Sequence, residues 1–184
     1  MALQQRGGFS TPHWKGNPSI ISTQDFMGCL KIPVRALNII WGNDSRFWEW
    51  INLSDEDTRS IGFQEAAVLL QVNWIEVTGK FDLNKLFRNT TYNIYYAMKF
   101  HDDAFGWRLS PIKFKVGIAG EVSEVIHELE SYRAKQNKWH EVPGGEFTVP
   151  NDTAGSVEFG MFEVDTQYWK GCMVLGGVLI KPKS

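Results

Sequence analysis

The chain has 184 residues, of which 43% are hydrophobic and 22% are charged, and its formal net charge is −2 at neutral pH. This length and composition are typical of one globular domain with its own hydrophobic core. The small negative charge argues against the basic surface by which proteins bind nucleic-acid phosphates, and no run of about 20 apolar residues predicts a membrane span.

The N-terminal 30 residues mix Gly, Ser, Gln, Thr and Pro without a hydrophobic period. This predicts an arm that lies on the domain, so we expect the domain itself over residues 31–184. Alternation over residues 37–41 predicts a strand that ends at Trp41, and residues 47–53 predict a second strand that carries Trp48 and Trp50. A polar turn, residues 42–46, separates the two strands.

The middle of the chain gives signals of unequal clarity. Residues 66–77 are ambiguous, because their first half fits a short helix whereas their β-branched second half fits a strand. Residues 81–87 predict one helical turn. Strict alternation over residues 92–100 and 111–116 predicts two strands. Residues 121–138 are charged with apolar residues at helical spacing, which predicts a surface loop with a short helix.

The C-terminal part predicts short strands over residues 139–142, 147–149 and 157–164, and a last strand over residues 173–180. Gly176 and Gly177 in that strand predict a β-bulge. Short strands separated by Gly, Pro, Asn and Asp are typical of sandwiches. We therefore predict an all-β fold, an antiparallel β-sandwich of the jelly-roll kind.

Eight tryptophans are unusually many for this length, and Trp41 and Trp48 flank the polar turn. An indole has a large apolar face and one polar N–H, which suits a sugar ring with its apolar C–H face and hydroxyl rim. The alternative is packing, since Trp is usually largely buried. Carboxylates accept hydroxyl hydrogens in fixed geometry, so an indole beside a carboxylate predicts a carbohydrate site.

Motifs of catalysis and metal binding are missing from the sequence. We find no phosphate-binding loop, nucleophile elbow, zinc-protease motif or dinucleotide fingerprint, and the two cysteines and four histidines lack metal-ligand spacing. Acidic residues cluster over residues 141–165 and can in principle supply a glycosidase pair, but solvent-exposed charge on a sandwich explains them as well. We expect no cofactor, no metal and no enzymatic activity.

Several sequence blocks, in the same order along the chain, resemble the phloem lectin family, also called phloem protein two or Nictaba-like lectins. The blocks are residues 74–80 (WIEVTGK), 139–147 (WHEVPGGEF), 157–161 (VEFGM) and 169–171 (WKG). The resemblance runs from about residue 36 to the C-terminus. It implies a non-catalytic β-sandwich lectin that binds β-1,4-linked N-acetylglucosamine oligomers (chito-oligosaccharides) and N-glycan cores, without a metal and with a role in plant defence or signalling.

The resemblance also implies the site residues. The family's two sugar-binding tryptophans, seven residues apart, fall on Trp41 and Trp48, and two acidic family positions fall on Glu158 and Asp165. Asn43, in the turn between the tryptophans, completes the predicted site.

The resemblance further implies a cytoplasmic or nucleocytoplasmic protein, or one of phloem sap, that forms homodimers and associates with filament proteins. We expect Cys29, in the arm, to be available for a disulfide between two chains. The competing interpretation is a structural or RNA-binding phloem component without a working sugar site, because aromatic side chains near polar loops also stack on bases.

Overall fold

The computed structural model describes residues 11–152 and 154–184 of the chain. These residues form eleven strands, two α-helices and three short 3₁₀ turns. The strands are β1 (Leu30–Pro33), β2 (Asn38–Ile39), β3 (Trp48–Asn52), β4 (Glu65–Leu69), β5 (Ile75–Asp82), β6 (Thr91–Phe105), β7 (Ile112–Ile118), β8 (Glu121–His127), β9 (Trp139–Thr148), β10 (Ser156–Glu163) and β11 (Gly171–Pro182). The helices are α1 (Asp55–Ile61) and α2 (Glu130–Arg133), and the 3₁₀ turns are Pro18–Ile20, Val34–Ala36 and Leu83–Lys85.

Two antiparallel sheets carry the fold, which confirms the predicted β-sandwich. One sheet has the order β9-β6-β11-β4-β3, with β1 also paired to β11, and the other has the order β2-β5-β10-β7-β8. We call these the six-stranded and the five-stranded sheet. In the five-stranded sheet, alternation places one face in the core and the other toward solvent. The outer face of the six-stranded sheet is partly covered, since Ala66, Val68 and Val174 form a second buried cluster there.

The core lies between the sheets and consists largely of aliphatic and aromatic side chains. Tyr92, Tyr96 and Phe100 of β6 are fully buried, as expected for the face that the sequence alternation predicts. Phe114 of β7 packs on the Tyr96 ring across the sandwich, with ring centroids 5.0 Å apart. Burial on this scale is the main contribution to stability in a domain of this size.

The outer face of the five-stranded sheet is open to solvent and forms part of the candidate site. Opposite residues of an antiparallel pair point to the same side, and the register places Glu76 opposite Phe162, Thr78 opposite Gly160 and Lys80 opposite Glu158. Two of these cross-strand pairs extend to β7, because Lys115 pairs with Gly160 and Gly117 pairs with Glu158.

In four places the structure corrects, resolves or adds to the local predictions. Residues 121–127 form strand β8, and the short helix predicted in that segment is confirmed only as α2. Residues 65–69 form β4 where a short helix was an alternative. Residues 139–148 form one strand with an irregularity at the Pro143–Glu146 step, where two strands were predicted. Helix α1 was not predicted.

Other local predictions are confirmed. The helical turn predicted over residues 81–87 is the 3₁₀ turn Leu83–Lys85, and the predicted bulge in β11 is a register shift between Leu175 and Gly177. The described part of the arm packs on the domain, where Trp14 forms an isolated antiparallel β-bridge with Ile39. Ile21, also on the arm, is 4% exposed. No helix in the described ranges is long and apolar enough to cross a membrane.

Candidate functional site

A tight turn follows β2 and positions the tryptophans of interest. The N–H of Gly42 donates to the Ile39 carbonyl at 2.9 Å, and the N–H of Asp44 donates to the Trp41 carbonyl at 3.0 Å. Trp41 adopts a left-handed backbone conformation, with φ 67°, so the chain reverses sharply there. The Arg46 side chain donates to both Asp44 oxygens, and these hydrogen bonds lower the pKa of Asp44 to about 2.

The N-terminal arm packs against the outside of this turn and is hydrogen-bonded to it. The Asn43 amide donates to the carbonyls of Thr11 and His13, at 3.1 and 3.0 Å. A Cβ at Gly42 would lie 2.7 Å from the Trp14 Cβ, so only glycine allows the arm to approach this closely. Asn43 therefore fastens the arm to the turn with the amide group that was predicted to meet a ligand.

The structure places the two predicted tryptophans in different surroundings. Trp48 is 2% exposed and belongs to the core cluster, and among the described residues its indole N–H has no hydrogen-bond partner. Trp41 is half-buried and packs edge-on against His13 and Phe47, with ring centroids 5.0 and 5.6 Å away. Trp41 can therefore offer ring surface to a ligand, whereas the Trp48 ring is almost entirely covered.

Trp41 lines a cleft of about 360 Å³, which we call the tryptophan cleft. Its other lining residues are His13, Ile40, Asn73, Trp74 and Glu76. The Trp74 side chain is 39% exposed, and it precedes β5 directly, so the strand holds it at the end of the sandwich. The cleft thus combines two indoles with polar groups from the arm and from β5.

The polar groups of the tryptophan cleft are oriented. The Trp74 indole N–H donates to Glu76 Oε1 at 3.3 Å, and in the described residues no hydrogen bond reaches the other Glu76 oxygen. His13 Nδ1 accepts a hydrogen bond from the Trp41 backbone N–H at 2.9 Å, so in the neutral ring Nε2 carries the proton. The cleft therefore has a free acceptor on Glu76 and a ring donor on His13, and Asn73, which also lines it, adds an amide with donors and an acceptor.

A second cleft, on the Asn43 side of the turn, is lined by Trp48 and Trp50 and has a volume of about 610 Å³. We call it the turn groove. The Arg35 guanidinium lies 3.8 Å from the Trp50 ring centroid and forms a two-point ion pair with Glu65, at 3.0 Å for each contact. Because Arg35 already stacks on Trp50, this groove offers less free ring surface than the tryptophan cleft.

The two predicted acidic residues lie on or beside the outer face of the five-stranded sheet. Glu158 is exposed and pairs with Lys80 at 3.6 Å. Asp165 pairs with Lys113 at 2.9 Å, and this hydrogen bond raises the pKa of Lys113. Neither acid lines the tryptophan cleft or the turn groove. The five predicted residues are thus distributed over three places.

Of the six residues that line the tryptophan cleft, sequence reasoning predicted one, Trp41. Trp74 and Glu76 are alternate residues at the start of a strand, and this spacing alone places an indole and a carboxylate on one face. His13 comes from the arm, and no local pattern links it to Trp41, 28 residues later.

Cys29 lies half-buried beside a groove on the other side of the molecule, between the arm and α1. Burial raises the pKa of its thiol, and Asp25 adds to the effect. Cys172 is also a half-buried free thiol. Within residues 11–152 and 154–184, no group of three His, Cys, Asp or Glu residues is placed to hold a metal ion.

Comparison with known proteins places these features in context. The sequence model of the family described as phloem protein 2 matches residues 27–182. Phloem protein 2-like A1 of Arabidopsis thaliana is 30% identical over 162 residues, covering 85% of this chain and 62% of that protein. Phloem protein 2-like A2 of the same plant is 38% identical over 125 residues, covering 65% and 61%.

The chain thus spans less than two thirds of the length of these relatives. Among solved structures, the CBM22-1 xylan-binding domain of Paenibacillus barcinonensis Xyn10C matches 88% of this chain and 96% of its own, with 10% identity and a TM-score of 0.47.

Proposed function

We propose that this chain, which belongs to the phloem protein 2 family, is a lectin that binds N-acetylglucosamine oligomers and N-glycan cores without catalysis, in plant phloem or the nucleocytoplasm. The family and the sandwich fold support a carbohydrate-binding protein. The tryptophan cleft is the binding site in this proposal, in place of the pair Trp41 and Trp48, because the Trp48 ring is covered.

One observation carries the proposal: two partly exposed indoles, Trp41 and Trp74, line one cleft together with a carboxylate that a hydrogen bond holds in place. Indole faces cover the apolar side of a pyranose ring, and a fixed carboxylate accepts its hydroxyl hydrogens. Apolar walls with a few oriented polar groups are the usual composition of a small-molecule site.

The polar groups fit an N-acetyl sugar. Its acetamide presents one N–H donor and one carbonyl acceptor, and the cleft offers the complementary pair in the free Glu76 oxygen and the His13 ring N–H. A neutral ligand also agrees with the small net charge of the chain. Hydrolysis of a glycosidic bond would require two carboxyl groups about 5–9.5 Å apart, whereas Glu76 is the one acidic residue that lines the described cleft.

The competing function, RNA binding, rests on the same aromatic residues. A glycan array run beside an RNA filter-binding assay at two salt concentrations tests the proposal. We expect binding to chito-oligosaccharides that hardly changes with salt, since the ligand is neutral. RNA binding that weakens steeply as salt rises, together with an empty array, would contradict the proposal.

A further inference from the structure

A groove of about 400 Å³ crosses the outer face of the five-stranded sheet. We call it the sheet groove, and its lining includes Asn38, Thr78, Lys80, Gly117, Glu158 and Phe162. The side chains come from strands β2, β5, β10 and β7, so the groove runs across the strands. Neighbouring strands lie about 4.8 Å apart, and the groove is therefore long enough for more than one sugar ring.

A flat aromatic ring lies at the edge of this groove. A Cβ at Gly160 would lie 2.9 Å from Phe162 Cε2, which shows that the Phe162 ring rests on the backbone of Gly160. The same Cβ would lie 2.8 Å from the Val77 carbonyl oxygen, so a side chain at Gly160 would displace the ring or the strand. The Lys115 ammonium lies 5.0 Å from the ring centroid. The half-buried Phe162 ring therefore rests on the strand with a flexible lysine close to it, and a sugar ring that stacks on Phe162 would displace the Lys115 ammonium.

The polar groups of the sheet groove are of both signs and both hydrogen-bonding kinds. Glu158 supplies an acceptor and forms an exposed ion pair with Lys80, which supplies a donor. Asn38 and Thr78 add an amide and a hydroxyl, 3.4 Å apart. With Lys115, the groove is lined by two lysines and one glutamate, so a hydroxyl-rich ligand finds both donors and an acceptor there.

The sheet groove continues the tryptophan cleft. Phe162 pairs with Glu76 across β10 and β5, and opposite residues of such a pair have Cα atoms about 4.5–5.5 Å apart. Thr78, which lines the sheet groove, follows Glu76 by two residues on the same face of β5, a step of about 7 Å. The carboxylate of the cleft and the ring of the groove are therefore neighbours on one surface.

We infer that the sheet groove is a second sugar-binding subsite, in which Phe162 stacks on a further ring of an oligosaccharide whose terminal ring occupies the tryptophan cleft. This inference rests on the proposed function. Phe162 would then determine which ligand length binds most tightly. The tryptophan cleft alone holds a short ligand, and contacts in the sheet groove raise the affinity for a longer one.

Two variants of opposite kind test the inference. Phe162→Ala removes the ring. Gly117→Leu adds a side chain in the groove, and the backbone there has room for its Cβ, since the nearest atom, on Val122, would be 3.5 Å away. Phe26→Ala is the matched control, since Phe26 is 99% exposed on the arm. Thermal unfolding of each variant shows whether it folds.

The measurement is calorimetry with chitobiose and chitotetraose. We expect wild type and Phe26→Ala to bind the tetraose about tenfold more tightly than the biose, as loss of an aromatic contact of about 1.4 kcal/mol would imply. Phe162→Ala and Gly117→Leu should lose this difference and keep their affinity for the biose. Equal affinities in wild type, or a folded variant of either kind with the full difference, would overturn the inference. A wild type that binds neither sugar would overturn the proposed function itself.

Discussion

Glu76 and Phe162 stand opposite each other on β5 and β10, and each belongs to a different concavity of the same surface. Glu76 accepts a hydrogen bond from the Trp74 indole in the tryptophan cleft, while the Phe162 ring rests on Gly160 beside the sheet groove. The pairing places a carboxylate between two aromatic platforms. Changes to either residue should therefore affect sugar binding and leave the core unaltered.

Replacing Glu76 with Gln should weaken binding of chito-oligosaccharides about tenfold, because a hydrogen bond to a charged acceptor contributes about 1.5–3 kcal/mol. Glu49→Gln is the matched control, since Glu49 lines the turn groove. Titration calorimetry measures both. If Glu49→Gln weakens binding and Glu76→Gln does not, the sugar lies in the turn groove.

A buried ion pair should make the loop after β10 sensitive to mutation. Lys170 and Glu163 lie 3.1 Å apart with side chains 0% and 1% exposed, and Lys170 also donates to the Tyr168 carbonyl. Lys170→Met leaves the Glu163 charge buried without its cation, which should lower the free energy of unfolding by about 3–5 kcal/mol. Urea denaturation of this variant measures the loss.

The double variant Lys170→Met with Glu163→Leu is the control for this ion pair. It removes both charges, so it should recover most of the lost stability. A single variant as stable as wild type would show that the pair contributes little to the fold.

Helix α1 should contribute to the acid sensitivity of the fold through Asp57. A hydrogen bond from the Trp139 indole, at 2.9 Å, lowers the pKa of Asp57. A carboxyl group whose pKa is lowered in the folded state stabilises the fold above its unfolded pKa, about 3.9, and this stability is lost as pH falls through the folded value. Asp57→Asn should therefore flatten the acid side of a plot of Tm against pH.

Asp55→Asn, on the same helix, is the comparison for Asp57, because Asp55 makes no side-chain hydrogen bond within the described residues. For Asp55→Asn, the acid side of the plot of Tm against pH should match that of wild type. If wild type and Asp57→Asn lose stability identically as pH falls, the hydrogen bond from Trp139 to Asp57 does not have the assigned role.

The predicted homodimer and its disulfide can be tested together. Burial raises the pKa of Cys29, so little thiolate exists at neutral pH and oxidation should be slow there and faster at alkaline pH. Light scattering should give a dimer under reducing conditions, and a non-reducing gel of oxidised protein should show a covalent dimer that Cys29→Ser lacks. A monomer in solution would contradict the dimer, and a covalent band that survives Cys29→Ser would exclude this cysteine.

The sequence predicted the elements whose side chains alternate between core and solvent, such as β6. Helix α1 was not predicted because none of its residues is buried, so its sequence has no apolar periodicity. Its caps were visible, as Ser54 accepts the N–H of Asp57 and Gly62 ends the helix in a left-handed conformation. Strand β8 resembled a helix because its apolar Val122 and Ile126 are exposed, which makes core periodicity a misleading guide.

The candidate site was predicted only in part. Trp41 was recognised from its position beside a polar turn. Trp48 and Trp50 share one face of β3, and alternation alone could not show that this face is the one turned toward the core. In the structure Trp48 faces the core. The contribution of His13 depends on how the arm packs, which no local pattern specifies.

The most direct test of the proposed function is calorimetry of chitotriose binding to wild type, Trp41→Ala, Trp74→Ala and Phe87→Ala. The control residue, Phe87, is 64% exposed and lies beyond the far end of β5. We expect the two tryptophan variants to fold and to lose most of their affinity, because partly exposed aromatic anchors carry binding energy, while Phe87→Ala binds as wild type does. Folded Trp41→Ala and Trp74→Ala proteins that bind chitotriose normally would contradict the account.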